Sequence, residues 1–190
     1  YDLFIVGAGP VGCVIANKAA AELGWKSLII DKRSHIAGNC FDTKHESGIL
    51  IHKYGPHYFR TNSTELLNYL SQFTEWIPGN YIVKSYVRNE LYPFPINLTT
   101  LEKFFNLKEL DAQTAEALLD KQKYKIPHPA NSEEFALSRV GRELYENFYL
   151  GYTLKQWGIH PRELDPSVCG RIPVRTDRDD RYVNHQFQVT

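Results

Sequence analysis

Leu3 to Val6 is a short apolar run that stops at glycines, a pattern that predicts a strand buried on both faces of a parallel sheet. The Ala-rich stretch from Val11 to Leu23 is made of good helix formers, and Gly24 stands where a C-cap belongs, so a helix is predicted there. "KSLIID" then reads as a second buried strand. Strand, glycine turn, helix and strand in this order predict a right-handed βαβ unit.

The period changes further on. Alternation in "GILIHKY" predicts a hairpin edge, and "NSTELLNYLSQF" predicts a helix capped by Asn62 or Ser63 with Leu66, Leu67, Leu70 and Phe73 on one face. "NYIVKSYVRNELYPFPIN" alternates like antiparallel strands around a turn at Asn89-Glu90. From Thr99 to about Tyr152 the pattern is helical, with Asn131 and Glu134 resembling a capping box and Ala136, Val140, Leu144 and Phe148 forming a core stripe. "CGRIPVRTD" predicts a return to extended structure, with Pro173 on an edge strand.

Composition narrows the class. The 190 residues carry 22 basic and 22 acidic side chains, so no net field draws the chain to nucleic acid or an anionic membrane, and an anionic ligand must be met by locally placed Arg or Lys. No apolar run approaches a membrane span, which predicts no membrane insertion. Cys13, Cys40 and Cys169 lack disulfide or metal-like spacing and read as reduced thiols of a cytoplasmic protein. The last residues, "VNHQFQVT", are strand-like and suggest the front part of something longer.

Gly7, Gly9 and Gly12 form G-x-G-x-x-G between the predicted strand and helix. Gly7 permits a tight turn, Gly9 a close approach to pyrophosphate, and Gly12 close helix packing, while the helix N-terminus at Val11 offers free amides to phosphate. Asp31 ends the second strand, where a carboxylate can accept hydrogen bonds from an adenosine ribose. A glycine turn that merely packs is the alternative. After Asp31, "DKRSHIAGNCF" brings Lys32 and a second glycine turn, Gly38-Asn39, which resembles the FAD-binding start of flavoprotein oxidases and mutases.

Taken together, "GAGPVG", "DKRSHIAGN", "HKYGPHYFRTN", "YPFPIN", "GYTLKQWG" and "RIPVR" resemble the UDP-galactopyranose mutase family along almost the whole chain. The resemblance implies FAD as cofactor, UDP-galactose as substrate and interconversion of its pyranose and furanose forms, the reduced flavin acting as nucleophile at the anomeric carbon. It places His57 and Tyr58 beside the flavin; on its own, a lone histidine in a Gly-Pro turn is more often a satisfied structural residue than a catalyst. It gives Tyr152 a place near uridine and makes Trp157 shape the sugar pocket, with Thr153 between them, although aromatics there also suit the closing of a helical bundle.

In an extended "RIPVR", Arg171 and Arg175 point to one face and suit a diphosphate between them; salt bridges to "DRDD" are the alternative. By family match Arg175 contacts phosphate, with Arg171 beside it, and Tyr182 touches the nucleotide. The family's uridine-site asparagine falls in "WIPGNYIV", at Asn80 or Tyr81, with Asn80 carried as the candidate. No catalytic residue other than supporting roles for Arg175 and His57 is expected, and no metal site. A homodimer is one expectation. A flavin amine oxidase-like oxidoreductase and an inactive FAD-binding fragment are the alternatives.

The fold expected is α/β, a Rossmann-type FAD-binding domain with an inserted helical bundle and antiparallel sheet. Residues 1–79 would form the FAD portion, 80–97 and 166–190 the sheet, and 98–165 the substrate-binding bundle, with the family's C-terminal half absent.

Overall fold

The structure is a computed structural model that describes residues 1–79, 81–183 and 185–189. Two compact units divide the chain, one containing Tyr1–Arg60 and Asn68–Ile77, the other Thr61–Leu67 and Pro78–Phe187. The fold is α/β and opens with a Rossmann-type βαβ unit.

In the first unit β1 (Leu3–Val6) and β2 (Ser27–Ile30) pair in parallel, Leu3 opposite Ser27 and Val6 opposite Ile30, with α1 (Pro10–Leu23) crossing between them. Pro10 opens α1, where its missing N–H costs nothing, and Gly24 ends it at φ 67°. A Cβ on Gly12 would overlap the Gly7 carbonyl oxygen and lie 3.2 Å from the Ile5 side chain, so this glycine sets the spacing of helix and strand. Burial of the strand on both faces is not what forms. Ile5 is 9% exposed beneath the helix, whereas Phe4 and Val6, alternating to the other side, are 59% and 77% exposed.

The hairpin around "GILIHKY" forms as β3 (Asp42–Lys44) and β4 (Leu50–His52), with Asp42 directly opposite His52. After β5 (Phe59–Thr61), α2 (Thr64–Leu70) is capped by Ser63, whose Oγ accepts the Leu66 N–H at 3.1 Å. The expected apolar face of this helix is only partly covered, since Leu66 and Phe73 are exposed.

The second unit holds the larger core. β6 (Val83–Val87) and β7 (Glu90–Phe94) pair antiparallel, and the turn falls on Arg88 and Asn89, both at positive φ, one residue earlier than the sequence suggests. α3 (Leu98–Phe105) starts at a fully buried Asn97, whose Oδ1 accepts the Thr100 N–H at 3.0 Å. Within the stretch predicted helical from Thr99 to about Tyr152, α4 (Ala112–Gln122) starts only where Asp111 caps it by accepting the Thr114 N–H at 2.7 Å.

α5 (Ser132–Leu144) runs through a π-helical turn, Tyr145–Leu150, into α6 (Gly151–Trp157). Asn131 caps it as expected, while the Glu134 carboxylate takes the Ala130 N–H instead of closing the box on Asn131. The stripe of Ala136, Val140, Leu144 and Phe148 is buried to 1% exposure or less. Gly141 breaks the helical geometry within α5 (φ 76°, ψ 177°) where the end of α4 presses against it.

"CGRIPVRTD" forms no strand. Asp165 accepts the Ser167 N–H at 2.9 Å and Pro166 takes the first turn, so a helix, α7 (Pro166–Gly170), forms instead. The irregular chain after it is held by Arg175 N–H to the Ile96 carbonyl and Leu98 N–H to the Asp177 carbonyl, both at 2.9 Å. The sheet expected over 166–190 reduces to an Ile82–Arg181 bridge and β8 (Phe187–Val189). Among the described residues, no helix is long and apolar enough to cross a membrane.

Candidate functional site

The first unit builds its candidate site from the two glycine turns. Gly7 (φ 107°) donates its N–H to the Ile30 carbonyl at 2.7 Å, so the turn is fastened to the end of β2. Asp31, the next residue, accepts the Arg33 N–H at 2.8 Å and the Ala8 N–H at 2.7 Å. These two bonds, Arg33 first, hold its carboxyl below the ordinary range. A carboxylate has further lone pairs, so Asp31 retains capacity for a ribose hydroxyl.

The second turn docks on the first. Ala37 donates its N–H to the Ala8 carbonyl at 2.8 Å, and a Cβ on Gly38 would lie 3.1 Å from the Gly9 Cα. Arg33 crosses to Asn39, Nη2 to Oδ1 at 2.9 Å, with its guanidinium 4.4 Å from the Tyr54 ring. Between the turns lies an open cleft of 380 Å³ lined by Val6, Gly7, Asp31, Lys32, Arg33, Gly38 and Asn39. Val11 is exposed at the start of α1, ahead of the first intrahelical bond from Cys13 N–H to the Gly9 carbonyl. These residues fit a dinucleotide: backbone unobstructed by side chains, amides for phosphate and an acid for ribose.

His57 does not stand alone. Its Nδ1 is 3.4 Å from the Gly55 carbonyl oxygen, its Nε2 is 3.4 Å from Asp42 Oδ1, and its ring meets His52 edge-on at 4.2 Å. Neighbouring Tyr58 is partly buried, with Arg60 donating to its hydroxyl at 3.5 Å.

The second unit gathers the other set. The hydroxyls of Tyr152 and Tyr182 are 2.8 Å apart, and both rings lean on Phe94, at 5.5 and 6.4 Å. Trp157, in the last turn of α6 before Gly158 (φ 69°), is 45% exposed. Arg171 donates from Nη2 to Gln156 at 2.9 Å and from Nε to the Val168 carbonyl at 3.1 Å, its guanidinium 6.0 Å from the Trp157 ring.

The two arginines do not share a face, because the segment between them is not a strand. Arg171 is exposed and Arg175 is 7% exposed. Burial draws the Arg175 pKa down, and the Asp179 and Asp177 carboxylates oppose that pull. Thr153 also turns inward: it is 1% exposed, with its hydroxyl 3.8 Å from Cys169 Sγ. Burial pushes the Cys169 thiol up, which makes it a poor nucleophile. Asn80 lies outside the described residues.

Sequence reasoning missed Phe94, Gln156 and the Asp42–His52 pair. The hairpin register carried a signal for the last, since residues opposite one another across two strands are neighbours. Gln156 sits inside the quoted "KQWG", but only α7 reveals which arginine it serves.

Residues 5–73 match a family model described as an NAD(P)-binding Rossmann-like domain, and residues 147–190 match one described as UDP-galactopyranose mutase. A probable UDP-galactopyranose mutase of Klebsiella pneumoniae is 44% identical over 189 residues, covering 98% of this chain and 49% of the relative. This chain is a relative of the UDP-galactopyranose mutases. It spans about half the length of the curated mutases it matches. A dTDP-fucopyranose mutase of Escherichia coli is 37% identical over 187 residues, again covering 98% of this chain and 49% of the relative. In fold the chain resembles a crystal structure of reduced UDP-galactopyranose mutase, with a TM-score of 0.66 and 22% identity over 92% of this chain and 37% of that one.

Proposed function

We propose that this chain supplies the FAD-binding and nucleotide-sugar-binding parts of a mutase that interconverts UDP-galactopyranose and UDP-galactofuranose. The observation that carries this reading is the 44% identity to the Klebsiella mutase along 98% of the chain. The docking of the Gly38 turn on the Gly9 turn supports a flavin dinucleotide in the first unit.

In this reading the Val11 and Gly12 amides meet the pyrophosphate, Asp31 meets the adenosine ribose, and Lys32, Gly38 and Asn39 border the dinucleotide. His57 and Tyr58 are assigned to the flavin end. Reduced flavin supplies the nucleophile for the anomeric carbon, with no net redox change. The chain itself binds, orients and stabilises charge. Trp157 offers a flat apolar wall at the sugar, Tyr152 and Tyr182 offer a paired hydroxyl acceptor and donor to phosphate or uridine, and Arg171 offers an accessible guanidinium to the diphosphate. Arg175 and Thr153 act from behind, by holding the segments that present these groups.

A second reading replaces the substrate with a dTDP-sugar, favoured by the 37% identity to the dTDP-fucopyranose mutase. The test uses full-length protein with FAD and dithionite, offered UDP-galactofuranose, dTDP-fucopyranose and, separately, primary amines. Ring interconversion of the UDP-sugar, followed by chromatography, is the expected outcome. Turnover of the dTDP-sugar alone would select the second reading, and amine oxidation without ring interconversion would reject both.

A further inference from the structure

We propose that Asp42, His52 and His57 form a binding site for a first-row transition-metal cation, with zinc as its natural type. The inference goes beyond the flavin reading, shares His57 with it, and concerns only the first unit.

Three features of the hairpin bring the donors together. Asp42 on β3 and His52 on β4 face one another in register, and His52 Nδ1 lies 2.8 Å from Asp42 Oδ1. The chain then turns at Gly55 (φ 99°), which returns His57 to the same carboxylate oxygen at 3.4 Å. One ligand atom from each residue lies within 4.8 Å of the others. A tetrahedral zinc with bonds of about 2.0–2.1 Å sets its ligand atoms about 3.3–3.4 Å apart, so only small side-chain rotations separate this arrangement from coordination.

The tautomer of His57 sharpens the argument. A carbonyl oxygen only accepts, so the contact of His57 Nδ1 with Gly55 assigns the ring hydrogen to Nδ1. Nε2 is then the ring atom left facing the carboxylate oxygen, at 3.4 Å, where a cation can join the two. A histidine that ligates through one nitrogen while the other donates to a carbonyl is the usual arrangement around protein-bound metals. Binding would replace the His52–Asp42 hydrogen bond, with the Asp42 carboxylate and the two imidazoles as ligands and the remaining position left to water. Two imidazoles and one carboxylate suit zinc, cobalt, nickel or copper better than calcium or magnesium.

The test is equilibrium dialysis of tag-free full-length protein against Zn²⁺, with metal content read by mass spectrometry, and a parallel Co²⁺ titration read by visible absorption. One Zn²⁺ per chain is expected, with a Co²⁺ spectrum of the intensity typical of four- or five-coordinate sites. His52→Gln and His57→Gln should each weaken binding by at least roughly a hundredfold. His35→Gln, at a histidine bonded to Tyr54 instead, should change it less than about twofold. Absence of stoichiometric zinc, or equal losses in all three variants, would overturn the site and leave a proton on His57 as the group that settles the contact. Should one variant fail to fold by circular dichroism, the other variant and the wild-type Co²⁺ spectrum still decide.

Discussion

Gly141→Ala is expected to be among the most damaging single-methyl additions in the second unit. The backbone at Gly141 has φ 76° and ψ 177°, a region that essentially only glycine occupies, and forcing alanine there costs about 1–3 kcal/mol. The new Cβ would also overlap the Gln122 carbonyl oxygen and lie 2.7 Å from its carbonyl carbon and 3.0 Å from its Cβ. The closest atoms are backbone at the end of α4, so no flexible side chain can swing away, and overpacking of this kind adds about 1–3 kcal/mol. The sum, about 2–6 kcal/mol, corresponds to a fall in melting temperature of roughly 5–20 °C for a chain of this size. Differential scanning calorimetry with urea midpoints on full-length protein measures it. Arg142→Ala, one residue along and exposed, serves as a control expected to cost less than about 1 kcal/mol. A Gly141→Ala protein melting within about 2 °C of its parent would show that α4 and α5 are free to separate, and the reasoning would fail.

Other outcomes follow from the site. Arg171→Ala should weaken UDP binding by about ten- to a hundredfold in calorimetric titration, as loss of a charge-assisted contact predicts, whereas Arg175→Ala should chiefly lower the melting temperature; the reverse pattern would restore Arg175 as the phosphate residue. Trp157→Ala, at a 45% exposed ring, should alter stability by less than about 1 kcal/mol while lowering turnover of the sugar nucleotide. Asp179 is held at about 2 by its hydrogen bond from Arg181, below the ordinary 3.8. Its stabilisation is therefore present above about pH 4 and is lost as pH falls toward 2. Asp179→Asn should narrow its stability gap to the parent across that window in urea titrations, and a gap constant with pH would contradict the assignment.

The opening βαβ unit was legible because each cue agreed: an apolar run, glycines, helix formers, Gly24 and an acid after the second strand. The core stripe of α5 was legible for the same reason, its fourfold recurrence surviving even the break at Gly141. That break was not, because its cause is the end of α4, which no local pattern contains. The misreading of "CGRIPVR" has a different origin. Asp165-Pro166 is a helix-starting pair, but the prolines at 166 and 173 and the branched residues Val168, Ile172 and Val174 draw the eye to extended structure. Once the segment is a short helix followed by irregular chain, the inference that two arginines share one face falls with it, and Gln156 and Trp157 become the neighbours of Arg171.

The near-touch of Gly9 and Gly38 ties two loops into one object. A methyl group placed on Gly38 would press on the Gly9 Cα at 3.1 Å, whereas one on Gly9 would meet Gly38 at an ordinary 3.9 Å, so the constraint falls on position 38. Related chains that carry a larger residue there should show a lengthened or re-aimed first glycine turn, and the dinucleotide they accept should change with it.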